Sequence, residues 1–134
     1  MDDTQRRTRI LVVDDEELNR NLMCEMLRAM WHECETASDG LDALSKLDAS
    51  FDVVLLDAMM PAMDGFEVAR HIRARDDVRN IPIIMVTGVA TRDQRMRAVE
   101  AGVNGFIAKP AHWTELRVAI ETAVIPASQS QSLH

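Results

Sequence analysis

The sequence predicts a single α/β domain in which a parallel sheet carries helices on both faces. Short apolar runs of strand length alternate with stretches of helical spacing, five of each along the chain. Three of the runs, Ile10–Val13, Val53–Leu56 and Ile81–Val86, are almost continuously apolar, the pattern of parallel strands covered on both sides. The chain has 134 residues and 47% hydrophobic content, enough for one core and one ordinary domain.

Each element has its own signal. Ile10–Val13 forms the first strand and ends in four acids, Asp14 to Glu17. Leu18, Leu22, Met26 and Met30 follow at i, i+4 steps, with Met23 and Leu27 widening the stripe, which predicts the first helix. Cys34–Ala37, within "ECETAS", is a more polar strand and suits a sheet edge. Leu41, Leu44 and Leu47 space a short second helix. Val53–Leu56 is the third strand; Phe66, Ala69 and Ile72 mark the third helix. Ile81–Val86 is the fourth strand, and Met96 with Val99 predict a helix after it. Gly105–Ala108 is a weaker fifth strand; Leu116, Ile120 and Val124 space the last helix. The nine methionines read as core filler. Residues 1–8 are expected to be a tail and 9–125 the domain. The polar stretch 126–134, opened by Pro126, reads as a disordered tail or the start of a linker.

Composition narrows the function classes. A net charge of −7 argues against a nucleic-acid surface, which needs a basic face. Cys24 and Cys34 match neither a CxxC nor a zinc spacing and are read as reduced core or near-surface thiols. His32, His71, His112 and His134 are scattered, with no partner at metal-ligand spacing. Arg6-Arg7 precedes an apolar run too short for an export signal. No segment is long enough for a membrane span. A cytoplasmic location is expected.

The chemistry lies at the strand ends. In a parallel sheet every strand points the same way, so the residues after each strand gather at one edge, where open α/β folds bind ligands. The first strand delivers Asp14 and Asp15, the third Asp57, the fourth Thr87 and the fifth Lys109. Any one of these has an ordinary explanation as a turn residue, helix cap or solvated charge. Their convergence is harder to explain that way. At an effective dielectric of 20, two carboxylates about 4 Å apart repel by about 4 kcal/mol. Such a group suits Mg2+, which takes carboxylates, waters and phosphate oxygens. A hydroxyl and an ammonium beside the metal complete a site for a phosphoryl group, with Asp57 as the nucleophile that becomes an acyl phosphate.

The stretches "ILVVDDE", "TASDGLDAL", "DVVLLDAMMPAMDGFEVAR", "IPIIMVTG" and "AGVNGFIAKP", at these spacings, resemble the receiver domains of bacterial two-component response regulators. The likeness runs from about Arg9 to Val124. It implies a flavodoxin-like, doubly wound five-stranded parallel sheet of order 2-1-3-4-5 with five helices, the strand order known for this family. It implies that Asp57 accepts a phosphoryl group from a sensor histidine kinase or phosphotransfer protein. It implies that Asp14, Asp15, Asp57 and the Met59 backbone carbonyl hold Mg2+, with Mn2+ able to substitute. Lys109 would contact the phosphoryl oxygens, and the Lys109–Pro110 peptide bond would be cis. Thr87 and Phe106 would form a two-position packing switch that alters the surface of the fourth helix, fifth strand and fifth helix. A downstream effector or a phosphorylation-dependent homodimer would read that surface. The resemblance makes the chain a signalling domain rather than an enzyme, although it would catalyse its own phosphorylation and slow dephosphorylation.

Several positions set it apart within that pattern. Phe106 has no hydroxyl, so its switching must act by packing alone. Ala111 stands where many members carry phenylalanine, and Val103-Asn104-Gly105 stands where DNA-binding subclasses often carry an acidic pair used in dimer contacts. Met59 and Val89, two residues past Asp57 and Thr87, cannot hydrogen-bond a hydrolytic water, which predicts a long-lived acyl phosphate. Trp113 opens the last helix and is weighed as a partner anchor against a half-buried packing residue. The rivals are a Mg2+-dependent phosphatase using Asp57, a flavin-binding module, and a docking-only pseudo-receiver. The phosphatase would want DxD after the first strand, and the flavin module a phosphate-cradling loop where "DDEEL" stands. A docking module would have no need of the acid, hydroxyl and lysine set.

Overall fold

A computed structural model describes residues 7–124. The elements run β1 (Arg9–Val13), α1 (Glu17–Ala29), β2 (Glu33–Ala37), α2 (Gly40–Lys46), β3 (Val53–Asp57), α3 (Gly65–Arg73), β4 (Ile83–Thr87), α4 (Arg92–Glu100), β5 (Gly105–Ala108) and α5 (Trp113–Ala123). All strand pairs are parallel, in the order β2-β1-β3-β4-β5. The expected fold is therefore the observed one. The expected tail at 126–134 and most of the one at 1–8 lie outside the described residues.

The pleat of the central strands divides the core into two layers, because successive side chains face opposite sides. Val54 and Leu56 join Leu11, Phe66 and Ile72 beneath α2, α3 and α4. Val53 and Leu55 join Ile10, Leu27, Leu116 and Ile120 beneath α1 and α5. β3 and β4 are buried along their whole length, whereas β2 alternates exposed and half-buried residues up to Ala37, as its edge position requires.

Sequence periodicity misplaced some faces. Leu18 and Leu22 point to solvent, and the buried line of α1 runs through Cys24 and Leu27. The physical reason is that steps of four residues advance about 40° around a helix of 3.6 residues per turn. A row from Leu18 to Met30 therefore winds off the sheet. On α4, Met96 and Val99 are exposed and only Ala98 is buried. There the guanidinium of Arg97 covers the Phe66 ring at 4.3 Å and that of Arg95 covers the Phe106 ring at 4.8 Å, so arginines do the covering expected of apolar residues. Leu41 on α2 is likewise exposed, with Gly40 and Ala43 turned inward. β4 begins at Ile83 rather than Ile81.

The reading of Cys24 and Cys34 as free thiols is corrected: the two form a disulfide, with Cα atoms 5.7 Å apart. The chain reverses directly after α1, through Trp31 at φ 71°, and lays β2 alongside that helix. Ten residues of sequence thus become a neighbouring pair across the α1–β2 contact.

Arg73 fixes the end of the sheet away from the acids. Its guanidinium donates to the carbonyls of Gly102, Arg79 and Ile81 and to Asn104 Oδ1. Asn104 Oδ1 also accepts from the Ile83 N–H at 2.8 Å. One cation therefore joins α3 to the segments that start β4 and β5, and nothing in the sequence pattern had singled it out.

Candidate metal centre

β1 and β3 lie side by side with Val13 opposite Leu56. The residues just past that pair are Asp14 and Asp57, so strand register alone brings the two acids together. Asp15 adds a third carboxylate, and one oxygen from each of the three lies within 4.8 Å of the others. Among the described residues no other group of three potential metal-ligating side chains is this close. The donor set is all oxygen, which fits a hard divalent cation. Asp14 and Asp57 are buried and Asp15 is exposed, so the site opens to solvent on one side.

The local backbone holds the acids in place. Asp14 Oδ1 accepts from the Glu16 N–H at 2.9 Å, and the Asp14 carbonyl accepts from the Arg20 guanidinium at 2.8 Å. Asp57 Oδ1 accepts a long bond, 3.4 Å, from the Met59 N–H. β5 hands Lys109 to the same edge: its N–H donates to the Thr87 carbonyl at 2.8 Å, and the Lys109–Pro110 peptide bond is cis. Lys109 Nζ then lies 3.1 Å from Asp14 Oδ2 and 3.5 Å from Asp57 Oδ1.

One ammonium among three carboxylates leaves the cluster under-neutralised. Burial, opposed by Lys109 and reinforced by Asp14 and Asp15, pushes the Asp57 carboxyl up from 3.8 to about 6. Burial acts to lower the Lys109 ammonium, but Asp14 and Asp57 outweigh it and the net shift is upward. Lysine stays charged throughout, and the missing positive charge is what a bound cation would supply.

Thr87 closes β4 and is fully buried; its Oγ1 accepts from the Val89 N–H at 3.1 Å. It lies across the sheet from Ala108, immediately before Lys109. Phe106 sits one pleat further down β5, half-buried, packed against the layer beneath α3 and α4 and covered by Arg95. Of the residues singled out from sequence, the structure brings Asp14, Asp15, Asp57 and Lys109 into one cluster, with Thr87 bonded to the Lys109 backbone and Phe106 further down β5. Met59 and Val89 are 54% and 44% exposed, so both side chains meet solvent rather than the core.

Gly65 was not singled out from sequence. A Cβ there would lie 2.3 Å from the Asp57 carbonyl oxygen and 2.9 Å from the Ala58 Cα. Its N–H donates to the Ala58 carbonyl at 2.9 Å. Asp64 and Glu67 form a capping box at the start of α3, and D-x-x-E followed by helical spacing is the sequence signal that could have marked this turn.

The family profile described as the response regulator receiver domain matches residues 10–121. The response regulator PleD of Caulobacter vibrioides is 42% identical over 103 residues, 76% of this chain and 23% of its own length. The chemotaxis protein CheY-3 of Vibrio cholerae is 38% identical over 107 residues, 78% of this chain and 82% of its own. Among solved structures, the receiver domain of a Pseudomonas aeruginosa sensor histidine kinase superposes with a TM-score of 0.80 at 30% identity, covering 89% of this chain and 98% of that one. That structure carries a magnesium ion in its active-site cleft. The chain spans less than a quarter of PleD and most of CheY-3.

Proposed function

The chain belongs to the response regulator receiver domain family, and from that premise we propose that it takes a phosphoryl group onto Asp57 from the phosphohistidine of a sensor histidine kinase or phosphotransfer protein. The observation that supports this most is the position of Lys109 Nζ, 3.1 Å from Asp14 and 3.5 Å from Asp57 at the edge of the three-carboxylate cluster.

In the transfer, an Asp57 carboxylate oxygen attacks phosphorus, the bond from phosphorus to the donor imidazole nitrogen breaks, and an acyl phosphate remains. Asp14, Asp15 and Asp57, with the Met59 backbone carbonyl, would hold Mg2+, or Mn2+ in its place, and the ion would supply positive charge against the carboxylates and the phosphoryl oxygens. Lys109 pairs with a phosphoryl oxygen once the charge on Asp57 has moved outward. Thr87 Oγ1 exchanges its bond from the Val89 N–H for one to the phosphoryl group, and Phe106 repacks in response. The surface so altered carries Met96 and Val99 on α4 and Trp113 and Val118 on α5, all more than half exposed. An effector or a second copy would read it. Trp113 at 52% exposure is open enough to serve as an anchor. No helix among the described residues is long and apolar enough to cross a membrane, which accords with signalling in the cytoplasm.

Incubation with acetyl phosphate and Mg2+ will add one phosphoryl group by intact mass, and a chelator will prevent it. An unchanged mass at saturating acetyl phosphate would remove the proposal. The acyl phosphate will be long-lived, because the Met59 side chain offers only a weak thioether acceptor and Val89 no polar atom at all to orient an in-line water. Met59→Asn will shorten its half-life by roughly tenfold, less than the roughly hundredfold or more of a true general base, because an amide orients a water without taking its proton. An unchanged half-life in that variant rules out water orientation as the cause.

A further inference from the structure

We propose that Cys24 and Cys34 form a redox-controlled tie between α1 and the edge strand β2, and that this tie sets how firmly the Asp14–Asp15 loop is held. Its effect on the metal site rests on the function proposed above; its thiol chemistry does not.

Three observations carry it. These are the two cysteines of the chain, so no alternative partner within the chain competes for either. Their Cα atoms are 5.7 Å apart, within the usual range for a disulfide, so α1 and β2 accommodate the closed bond where they lie. Cys24 is buried at 3% exposure in the layer beneath α1 and α5, whereas Cys34 is half-buried on an edge strand. Exchange with a solution thiol therefore enters through Cys34, and Cys24 resolves it. In compartments buffered by glutathione, a protein disulfide is usually transient or sensing rather than structural.

The step balances with glutathione disulfide as oxidant. The Cys34 thiolate attacks one glutathione sulfur, forms a mixed disulfide and releases the first glutathione. The Cys24 thiolate then attacks the Cys34 sulfur, breaks the mixed disulfide and releases the second. Two electrons pass from the protein dithiol to the oxidant, and the two thiol protons leave on the two glutathiones.

The bond acts at a distance through α1. Cys24 lies one helical turn past Arg20, whose guanidinium holds the Asp14 carbonyl at 2.8 Å. The other polar tie from α1 to β2 at this level is a long one, from Arg28 to the Cys34 carbonyl at 3.3 Å. With the disulfide closed, α1 is fixed to the sheet at Cys24 and to the metal loop at Arg20. With it open, the helix can shift and carry the loop with it. Arg20 is then a positioning residue for Asp14.

The full chain should be equilibrated in glutathione buffers from reducing to oxidising and read by thiol alkylation and intact mass. The expected result is one intramolecular disulfide, with loss of about 2 Da, and a thermal midpoint higher by roughly 10 °C. Amide exchange along residues 17–29 and 33–37 should slow in the oxidised form, and Mg2+ should bind roughly threefold more tightly by calorimetry. Cys34→Ser should show the reduced behaviour in every buffer. The tie is overturned if both thiols stay free under oxidising buffer, if the bond closes without slowing exchange in α1, or if Mg2+ binds equally to both forms. If the two forms differ in exchange while neither binds Mg2+, the redox tie stands and the metal-site reading fails instead.

Discussion

Asp57→Asn will take up no phosphoryl group from acetyl phosphate, and without metal it will be more stable than the parent protein at pH 7. The first half follows from chemistry, since the amide offers no carboxylate oxygen to attack phosphorus. The second follows from proton linkage. The Asp57 carboxyl sits at about 6 in the folded protein and near its ordinary 3.8 when the chain unfolds, the main cause being burial. A carboxyl raised on folding holds more protons in the folded state between those two values, so stability falls as pH rises from about 4 to about 6. Above that window the penalty is constant, on the order of 2–3 kcal/mol for a shift of this size. Asparagine removes it. Thermal or urea melts of the two proteins should therefore coincide near pH 4 and separate by pH 7, with the variant higher. Saturating Mg2+ should narrow the gap, because the ion stabilises the charged form and has lost one ligand in the variant. The same linkage makes Mg2+ binding to the parent weaken below about pH 6, where the proton competes for Asp57. Melts that separate equally at pH 4 and pH 7 would show that Asp57 is not the titrating group.

This cost of holding an acid under-neutralised is legible in the sequence only in outline. "VVLLDAMM" states that a buried strand ends in a carboxylate, and the parallel order states which other strand ends meet it. The strand runs and the acids at their ends were readable because a buried parallel strand leaves a simple signature: a short apolar block followed by a turn. The helices were less readable at the level of faces. Leu18 and Leu22 match a helical stripe yet lie outside it, because the stripe drifts and the sheet selects Cys24 and Leu27. Met96 and Val99 look like core positions on α4, but the space they would fill is taken by Arg95 and Arg97 lying over aromatic rings. The Cys24–Cys34 pairing was illegible because spacing in sequence carries no information about a helix folding back on its own edge strand. Arg73 and Arg20 escaped notice for a related reason. Each acts mainly through backbone carbonyls, which every residue has and no sequence pattern marks.

Gly65→Ala will damage both the fold and the phosphoacceptor, although it adds one methyl group at a residue with no left-handed backbone requirement. What matters is space. The added carbon would stand 2.3 Å from the Asp57 carbonyl oxygen, 2.9 Å from the Ala58 Cα and 3.1 Å from the Asp57 carbonyl carbon. All three obstacles are backbone atoms, so no rotamer change can relieve them. Either the start of α3 withdraws, breaking the 2.9 Å bond from the Gly65 N–H to the Ala58 carbonyl and straining the Asp64–Glu67 capping box, or the end of β3 yields and carries Asp57 with it. Overpacking of this kind costs about 1–3 kcal/mol, and loss of a cap adds about 1 kcal/mol. A displacement near 1 Å at the reacting oxygen can slow transfer by about a hundredfold. Gly88→Ala is the matched control, since a Cβ there meets nothing within 4 Å; it should melt with the parent. The two variants should be compared by thermal melt, by the initial rate of phosphorylation from acetyl phosphate, and by Mg2+ affinity. If Gly65→Ala melts with the parent and is phosphorylated at the parental rate, then the contact between α3 and β3 is slack, and this glycine does not set the position of Asp57.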